Sequence, residues 1–135
     1  RELSQDGRLD LEFLRDMPPA EAKAWLMSLP GVGPKTAACV LVFCLGKPAI
    51  PVDTHVYRVS RRLGLIGPRV SADRAHEQLE ALLVPHQYYT FHVNMVAHGR
   101  RVCHAQRPAH EVCVLRNECD YYLSGTPSAE LKPTR

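Results

Sequence analysis

The strongest constraint on the fold of this 135-residue chain is the segment 29–37, which reads LPGVGPKTA. Gly31 and Gly33 flank a single apolar residue, so they predict a tight turn without the steric penalty of a Cβ atom. Pro34 suits the first position of a helix, where a missing N–H costs no hydrogen bond. The segment therefore predicts a hairpin that joins two helices.

Apolar residues recur at helical spacing before this hairpin and run without interruption after it. A first amphipathic helix is predicted behind Pro18 and Pro19 from the positions Ala22, Trp25, Leu26 and Leu29. Residues 37–45 are all apolar, so the second helix is expected to be buried on nearly all sides. Cys39 and Cys44 are then small core residues, and the helix is too short to cross a membrane.

The start of the second helix is a candidate phosphate-binding site. Amides in a first helical turn have no intrahelical acceptor, and the helix dipole is positive there, so they can hold a phosphate oxygen. The phosphate contacts predicted at the hairpin are Gly31, Val32, Gly33 and Thr36. Of the arginines at 58, 61, 62, 100 and 101, Arg58 and Arg100 are the added candidates, although arginines on helices are usually solvated.

Three further helices are predicted, and no β-strand. Thr54–Leu63 has an apolar side and a basic flank and ends at Gly64. Ser71 caps a helix that Pro85 stops, with the stripe Ala75, Leu79, Leu82 and Leu83. A last helix runs from Tyr88 to Gly99, with the stripe Tyr89, Val93, Val96 and Ala97, and residues 100–119 read as loop. Residues 1–3 resemble the last turn of an earlier helix closed near Gly7.

Composition places limits on the kind of protein. Apolar residues make up 45% and charged residues 23%, which is typical of one globular unit, and the first ten residues are not a secretory signal. An intracellular location is therefore expected. Five cysteines, an odd number with three near the C-terminus, favour a metal or cluster site over a disulfide framework. The net charge of +3 permits a polyanionic partner without requiring one.

Three motifs together resemble the endonuclease III family of base-excision DNA glycosylases. They are the hairpin, the PVDTH sequence at 51–55, and the HGR sequence at 98–100 that leads into Cys103. The resemblance implies an all-α helix-hairpin-helix DNA glycosylase fold, consisting of the C-terminal part of the helical barrel and a cluster loop. The expected divisions are a helical region at 1–102 with its hairpin motif at 20–45, a cysteine-rich loop at 103–123 and a flexible tail at 124–135.

The resemblance also implies a reaction. Lys35 corresponds to the family's nucleophile and Asp53 to its acidic partner, so the expected activity is that of a glycosylase and AP lyase working through a lysine Schiff base. The implied partner is duplex DNA with a damaged base, by resemblance an oxidised pyrimidine, or an abasic site. From the residues alone, Lys35 could instead pair with a phosphate, and Asp53 is well placed as the N-cap of the following helix.

The C-terminal loop departs from the family pattern at one ligand. The family spacing C-x6-C-x2-C-x5-C falls here on Cys103, His110, Cys113 and Cys119, so histidine replaces the second cysteine. The resemblance implies a [4Fe-4S] cluster, and imidazole can replace thiolate at iron, where it raises the reduction potential. Zinc also accepts a Cys3His set, and a site without metal is the third alternative. The loop is expected to present Arg107 to the DNA backbone.

The family carries further helices before the point where this chain begins, and the chain starts without methionine. An apolar face is then expected to be covered by those helices or by a second chain. The alternative function is a DNA-binding module without chemistry, stabilised by zinc or a cluster. The expected compartment is a bacterial cytoplasm or nucleoid.

Overall fold

The computed structural model describes the backbone of residues 4–5 and 8–125 and the side chains of residues 10–125. The helical turn predicted at residues 1–3, and the predicted tail from residue 126 onward, lie outside the described residues. The helices are α1 (Pro19–Met27), α2 (Pro34–Cys39), α3 (Thr54–Leu63), α4 (Ala72–Leu82), α5 (Tyr88–Arg101) and α6 (Asp120–Leu123). Four 3-10 turns (Glu12–Asp16, Pro85–Gln87, His110–Val112 and Arg116–Glu118) and a π-helical turn at Val40–Cys44 complete the helical elements.

The all-α fold class is confirmed, with one small exception. Strands β1 (Ser4–Gln5) and β2 (Arg8–Leu9) form an antiparallel pair in which Ser4 faces Leu9 and Gln5 faces Arg8. The prediction of no strand is therefore wrong at this point. Two residues per strand are too few for an alternating pattern to be visible in the sequence.

Helices α1 and α2 share the first of two hydrophobic clusters. Ala22 and Leu26 of α1 pack with Ala37, Ala38 and Leu41 of the second helix, and Leu14 and Ala49 complete the cluster. The predicted stripe on the first helix is thus confirmed at Ala22 and Leu26, with Trp25 half-buried. This cluster fixes the two helices on either side of the hairpin.

Burial of the second helix on nearly all sides is not observed. Beyond Cys39 the helix continues as the π-helical turn, where the side chain of Phe43 is 57% exposed and Cys44 is exposed. The prediction that Cys44 is a core residue is therefore wrong. An apolar run identifies a surface that can be buried, but neighbouring elements cover this one incompletely: Phe43 stays exposed although its ring centre lies 5.8 Å from that of His92.

The second cluster joins α3, α4 and α5. Its buried members include Val56 and Val59 of α3, Ala75 and Leu79 of α4, and Met95 of α5. The predicted caps are confirmed, because the Asp53 carboxylate accepts from the Val56 amide at 2.7 Å and the Ser71 hydroxyl from the Arg74 amide at 3.2 Å. Local capping signals therefore located the starts of both helices correctly.

Gly99 allows α5 to lie directly on α3. A Cβ atom at this position would lie 2.8 Å from the Cβ of His55, inside any normal contact. The predicted start of α5 at Tyr88 is confirmed, and the helix extends to Arg101, two residues beyond the predicted end.

Parts of the predicted apolar stripes are wrong. Leu82 of α4 is 59% exposed, and Tyr89 and Val93 of α5 are also exposed. The side of α5 that packs on the core instead carries Met95 and Gly99. Both helices have apolar residues on more than one side, so helical spacing alone did not identify the packed side.

No helix in residues 8–125 combines the length and apolar content needed to cross a bilayer. The predicted division near residue 102 stays a prediction. Helix α5 ends just before it, at Arg101.

Candidate functional site

The hairpin has the predicted backbone geometry. The Val32 amide donates to the Leu29 carbonyl at 3.2 Å, and Gly31 has a φ of +81°, a conformation that side chains with a Cβ rarely adopt. Gly33 is extended, with a φ of −100°, and precedes Pro34 as the N-cap of α2. The turn therefore needs glycine at Gly31 for its conformation.

The first turn of α2 presents its amides outward. Pro34 occupies the first helical position, and the first intrahelical bond runs from Ala37 to the Gly33 carbonyl at 3.0 Å. The amides of Lys35 and Thr36 precede that bond, and both residues are exposed. Space is open in front of Gly33, because a Cβ there would meet no atom within 4 Å. An anion can therefore approach this backbone closely.

The charges of Lys35 and Asp53 both act on the thiol of Cys39. Burial raises the pKa of the half-buried Cys39 thiol, the charge of Lys35 opposes that rise, and the charge of Asp53 adds to it. Both charges are thus close enough to act on one thiol, although they are 18 positions apart in sequence. The fold brings the predicted amine and carboxylate to one region.

Arg58 has a structural role. Its Nε donates to the Cys103 carbonyl at 3.0 Å, and one Nη donates to the Gly99 carbonyl at 2.8 Å and lies 3.1 Å from Nδ1 of His55. These bonds tie α3 to the end of α5. A DNA contact by Arg58 stays a prediction, whereas Arg100 is exposed near the end of α5.

Arg62 is buried, contrary to the predicted basic flank of α3, and only 5% of its surface is exposed. Its guanidinium donates to the carbonyls of His104 at 2.7 Å and Ala105 at 3.0 Å, and to the Cys103 sulfur at 3.2 Å. The same group lies 4.9 Å from the ring centre of Tyr121. Arg62 therefore holds the start of the cysteine-rich loop, a role that its sequence position did not indicate.

The predicted metal ligands surround a single cavity between α3, α5 and the C-terminal loop. All four line it, namely Cys103, His110, Cys113 and Cys119. His98 lines it as well, and its Nε2 lies 3.6 Å from the Cys113 sulfur. Burial lowers the pKa of His98, which favours the neutral ring. In the sequence, His98 is marked only as the first residue of the HGR motif.

Three thiols and one imidazole are a donor set that an iron-sulfur cluster accepts, and zinc accepts it as well. Among the described residues, no three His, Cys, Asp or Glu side chains converge closely enough to hold one metal ion. A zinc site needs four donors within about 2.3 Å of one point. The ligands of an iron-sulfur cluster bind separate iron atoms around a larger group.

His110 is held by aromatic neighbours. Its ring centre lies 5.7 Å from that of Tyr121 and 5.0 Å from that of Tyr122. Tyr121 is also the ring that Arg62 faces. The histidine at the altered ligand position is thus packed into the loop beside α6.

The two helices and the turn between them define the chain as a helix-hairpin-helix protein. A comparison with protein-family models agrees with this class. The family model described as "Helix-hairpin-helix motif" matches residues 22–43. That range contains most of α1, the turn, all of α2 and most of the π-helical turn that follows it.

Two relatives extend the similarity beyond the motif. The chain is 44% identical over 97 residues to "Endonuclease III" of Thermotoga maritima, covering 72% of this chain and 45% of that protein. It is 32% identical over 148 aligned positions to "DNA glycosylase/AP lyase ROS1" of Arabidopsis thaliana, covering 97% of this chain and 11% of that protein.

Solved structures show the same fold. "Structure of a non-covalent Endonuclease III-DNA Complex" matches with a TM-score of 0.70 and 36% identity, over 82% of this chain and 50% of that chain. The chain belongs to the endonuclease III-like helix-hairpin-helix glycosylase family. It spans less than half of the Thermotoga protein and 11% of ROS1.

Proposed function

We propose that the protein is a DNA glycosylase and AP lyase that removes a damaged base from duplex DNA. The observation that carries the proposal is the placement of Lys35 in the first turn of the second hairpin helix, beside exposed backbone amides. The charge of Asp53 acts on the same Cys39 thiol as the charge of Lys35. A phosphate grip, an amine and a carboxylate are the three groups that this reaction needs. The relatives named above, and the complexes of endonuclease III with DNA, support the reaction class.

The proposed chemistry begins with the Lys35 amine. Its lone pair forms a bond to C1′ of the damaged nucleotide while the bond from C1′ to the base breaks, and the base leaves with that electron pair and takes up a proton. Opening of the sugar gives a Schiff base on Lys35, and loss of a proton from C2′ then expels the 3′ phosphate. The Asp53 carboxylate stabilises positive charge on the sugar and can accept a proton.

DNA is held by the hairpin in this proposal. The amides of Gly33, Lys35 and Thr36 face the phosphate, with Gly31 and Val32 shaping the turn and Arg100 adding a charge contact. A location inside the cell follows from a DNA substrate. By family resemblance we propose an oxidised pyrimidine as the damaged base, which a panel of single-lesion duplexes would test.

The two hairpin glycines provide a matched test of the grip. Because Gly31 has a positive φ, Gly31→Ala should lower the free energy of unfolding by about 1–2 kcal/mol. Gly33→Ala should cost less than about 1 kcal/mol, since its backbone suits alanine and space is open around it. If a phosphate lies against Gly33, that variant should bind duplex DNA about tenfold more weakly.

Urea titrations and fluorescence anisotropy measure the two quantities. Equal DNA affinity of wild type and Gly33→Ala would show that no DNA phosphate lies against Gly33.

We also propose that Cys103, His110, Cys113 and Cys119 bind a [4Fe-4S] cluster. The support is that all four residues line one cavity, at the spacing of the family's cluster ligands. When bound, the cluster supplies four covalent tethers that hold the loop, with one neutral ligand in place of a thiolate. Arg62 and the tyrosines beside His110 support this loop through the protein's own contacts.

Metal analysis of untreated protein tests the ligand set. We expect about four iron and four sulfide per chain, lowered in Cys113→Ser and unchanged in Cys44→Ser, because Cys44 is exposed outside the loop. His110→Cys should retain iron and lower the reduction potential, since it adds a negative ligand. Colourless protein with one zinc per chain, or with no metal, would contradict the cluster.

A further inference from the structure

The segment that leads into Asp53 is buried and belongs to no helix or strand. Ile50, Pro51 and Val52 are all buried, so their polar backbone groups need partners within the protein. Side chains supply three of those partners. The Ile50 amide donates to Oε1 of Glu80 at 3.1 Å, the Pro51 carbonyl accepts from Nδ1 of His92 at 2.8 Å, and the Val52 amide donates to Nε2 of His76 at 3.1 Å.

His76 is fixed in one tautomer by its surroundings. Its Nδ1 lies 3.0 Å from the Ala72 carbonyl and 3.2 Å from the Asp73 carbonyl, and carbonyls only accept, so Nδ1 carries the proton. Nε2 then presents its lone pair to the Val52 amide. The side chain is 1% exposed, and burial lowers its pKa, which keeps the ring neutral.

The Val52 bond lies one residue before Asp53. Asp53 is held on its other side by the Val56 amide, which its carboxylate caps. The chain passes from the cluster of α1 and α2 to the cluster of α3, α4 and α5 between Ala49 and Ile50, just before this segment. The hydrogen bonds from side chains of α4 and α5 therefore act on the position of Asp53 relative to Lys35. Lys35 lies on α2, whose buried residues belong to the first cluster.

We propose that His76 is a positioning residue for Asp53, acting through the Val52 amide. Glu80 supports the same segment through the Ile50 amide, and His92 supports it through the Pro51 carbonyl. The inference rests on the proposed function, because only a catalytic role of Asp53 requires its carboxylate to be held in an accurate position. A displacement of about 1 Å at a reacting group can cost about 100-fold in rate. A buried amide without an acceptor would cause the segment to move.

Two variants of the full-length protein, His76→Gln and His76→Leu, distinguish the role of His76 as a hydrogen-bond acceptor from the role of its volume in packing. Glutamine offers an oxygen near the position of Nε2, whereas leucine offers none. We expect single-turnover base release to fall about 10–100-fold in His76→Leu, with DNA affinity within about twofold of wild type. His76→Gln should recover most of the rate.

A double-mutant cycle distinguishes positioning from a general loss of structure. In an Asp53→Asn background, His76→Leu should cause little further loss, because the group that it positions is already gone. A merely structural effect would lower the rate in both backgrounds. Schiff-base trapping on preformed abasic DNA should persist in His76→Leu, since that aldehyde needs no base release; absence of trapping in wild type would instead count against the proposed function.

Two results would overturn the inference: wild-type base release in His76→Leu, or equal losses in the leucine and glutamine variants. If His76→Leu does not fold, the half-buried Glu80 gives the same test one turn along α4. Glu80→Leu should slow base release without weakening DNA binding, and Glu80→Gln, which keeps an acceptor oxygen, should restore it. Equal rates in both Glu80 variants would overturn the inference as well.

Discussion

Lys35→Gln should form no covalent adduct with abasic-site DNA in the presence of borohydride, whereas the wild-type protein should be trapped. Glutamine has no nucleophilic amine, so neither the Schiff base nor its reduced product can form. Base release by the variant should fall at least about 10³-fold, because the nucleophile is lost. Denaturing electrophoresis of labelled DNA measures the adduct, and a single-turnover assay measures the release.

Lys23→Gln is the matched control, since Lys23 lies on α1 away from the hairpin turn and should leave trapping unchanged. An adduct that persists in Lys35→Gln would assign the nucleophile to another amine. DNA binding without any adduct in wild type would favour the alternative of a binding module without chemistry.

Arg62→Ala should lower the free energy of unfolding by about 3 kcal/mol or more. The substitution removes charged hydrogen bonds to the carbonyls of His104 and Ala105, and such bonds contribute about 1.5–3 kcal/mol each. Arg62→Lys should recover only part of the loss, because an ammonium cannot reproduce the planar guanidinium that bonds two carbonyls and faces Tyr121. Urea unfolding followed by circular dichroism measures the change.

Arg61→Ala is the control for Arg62 on the same helix. Its guanidinium lies 5.5 Å from the ring centre of Tyr57, and the loss of such a contact should cost about 1 kcal/mol or less. Similar losses in the two alanine variants would show that the loop does not depend on Arg62. Iron content measured in parallel would show whether the cluster loop is disturbed as well.

The hairpin and the helix starts could be predicted because their signals are local. Pro34 at a first helical position, Asp53 and Ser71 as caps, and Gly31 in a positive-φ turn each act through atoms within a few residues. The spacing of the motifs also predicted the position of Lys35 on the second helix and the four residues that line the C-terminal cavity.

Burial was predicted less well. Phe43, Tyr89 and Val93 have the apolar character of core residues but are exposed, whereas Arg62 has the character of a surface residue but is buried. Helical spacing shows which sides of a helix are apolar, and a side becomes buried only when another element packs on it. The partner of each side lies far along the chain, so no local pattern reports it.

His76 illustrates the same limit at the candidate site. In sequence it is one polar residue beside the stripe of α4, with no motif to distinguish it. Its meaning depends on the Val52 amide, 24 residues earlier, which the fold brings within 3.1 Å. A buried histidine that is bonded at both nitrogens can be recognised only once those neighbours are known.

Sequence alone therefore specifies the hairpin, the lysine on its second helix, the capping aspartate and the loop with one cysteine exchanged for histidine. Those features depend on backbone chemistry and spacing within short segments. Packing in three dimensions brings the charges of Lys35 and Asp53 near one thiol, buries Arg62 against the loop and places His76 beside the Val52 amide. These arrangements join residues that are distant in sequence. They form because the helices pack their apolar surfaces together away from water, and that packing determines which residues become neighbours.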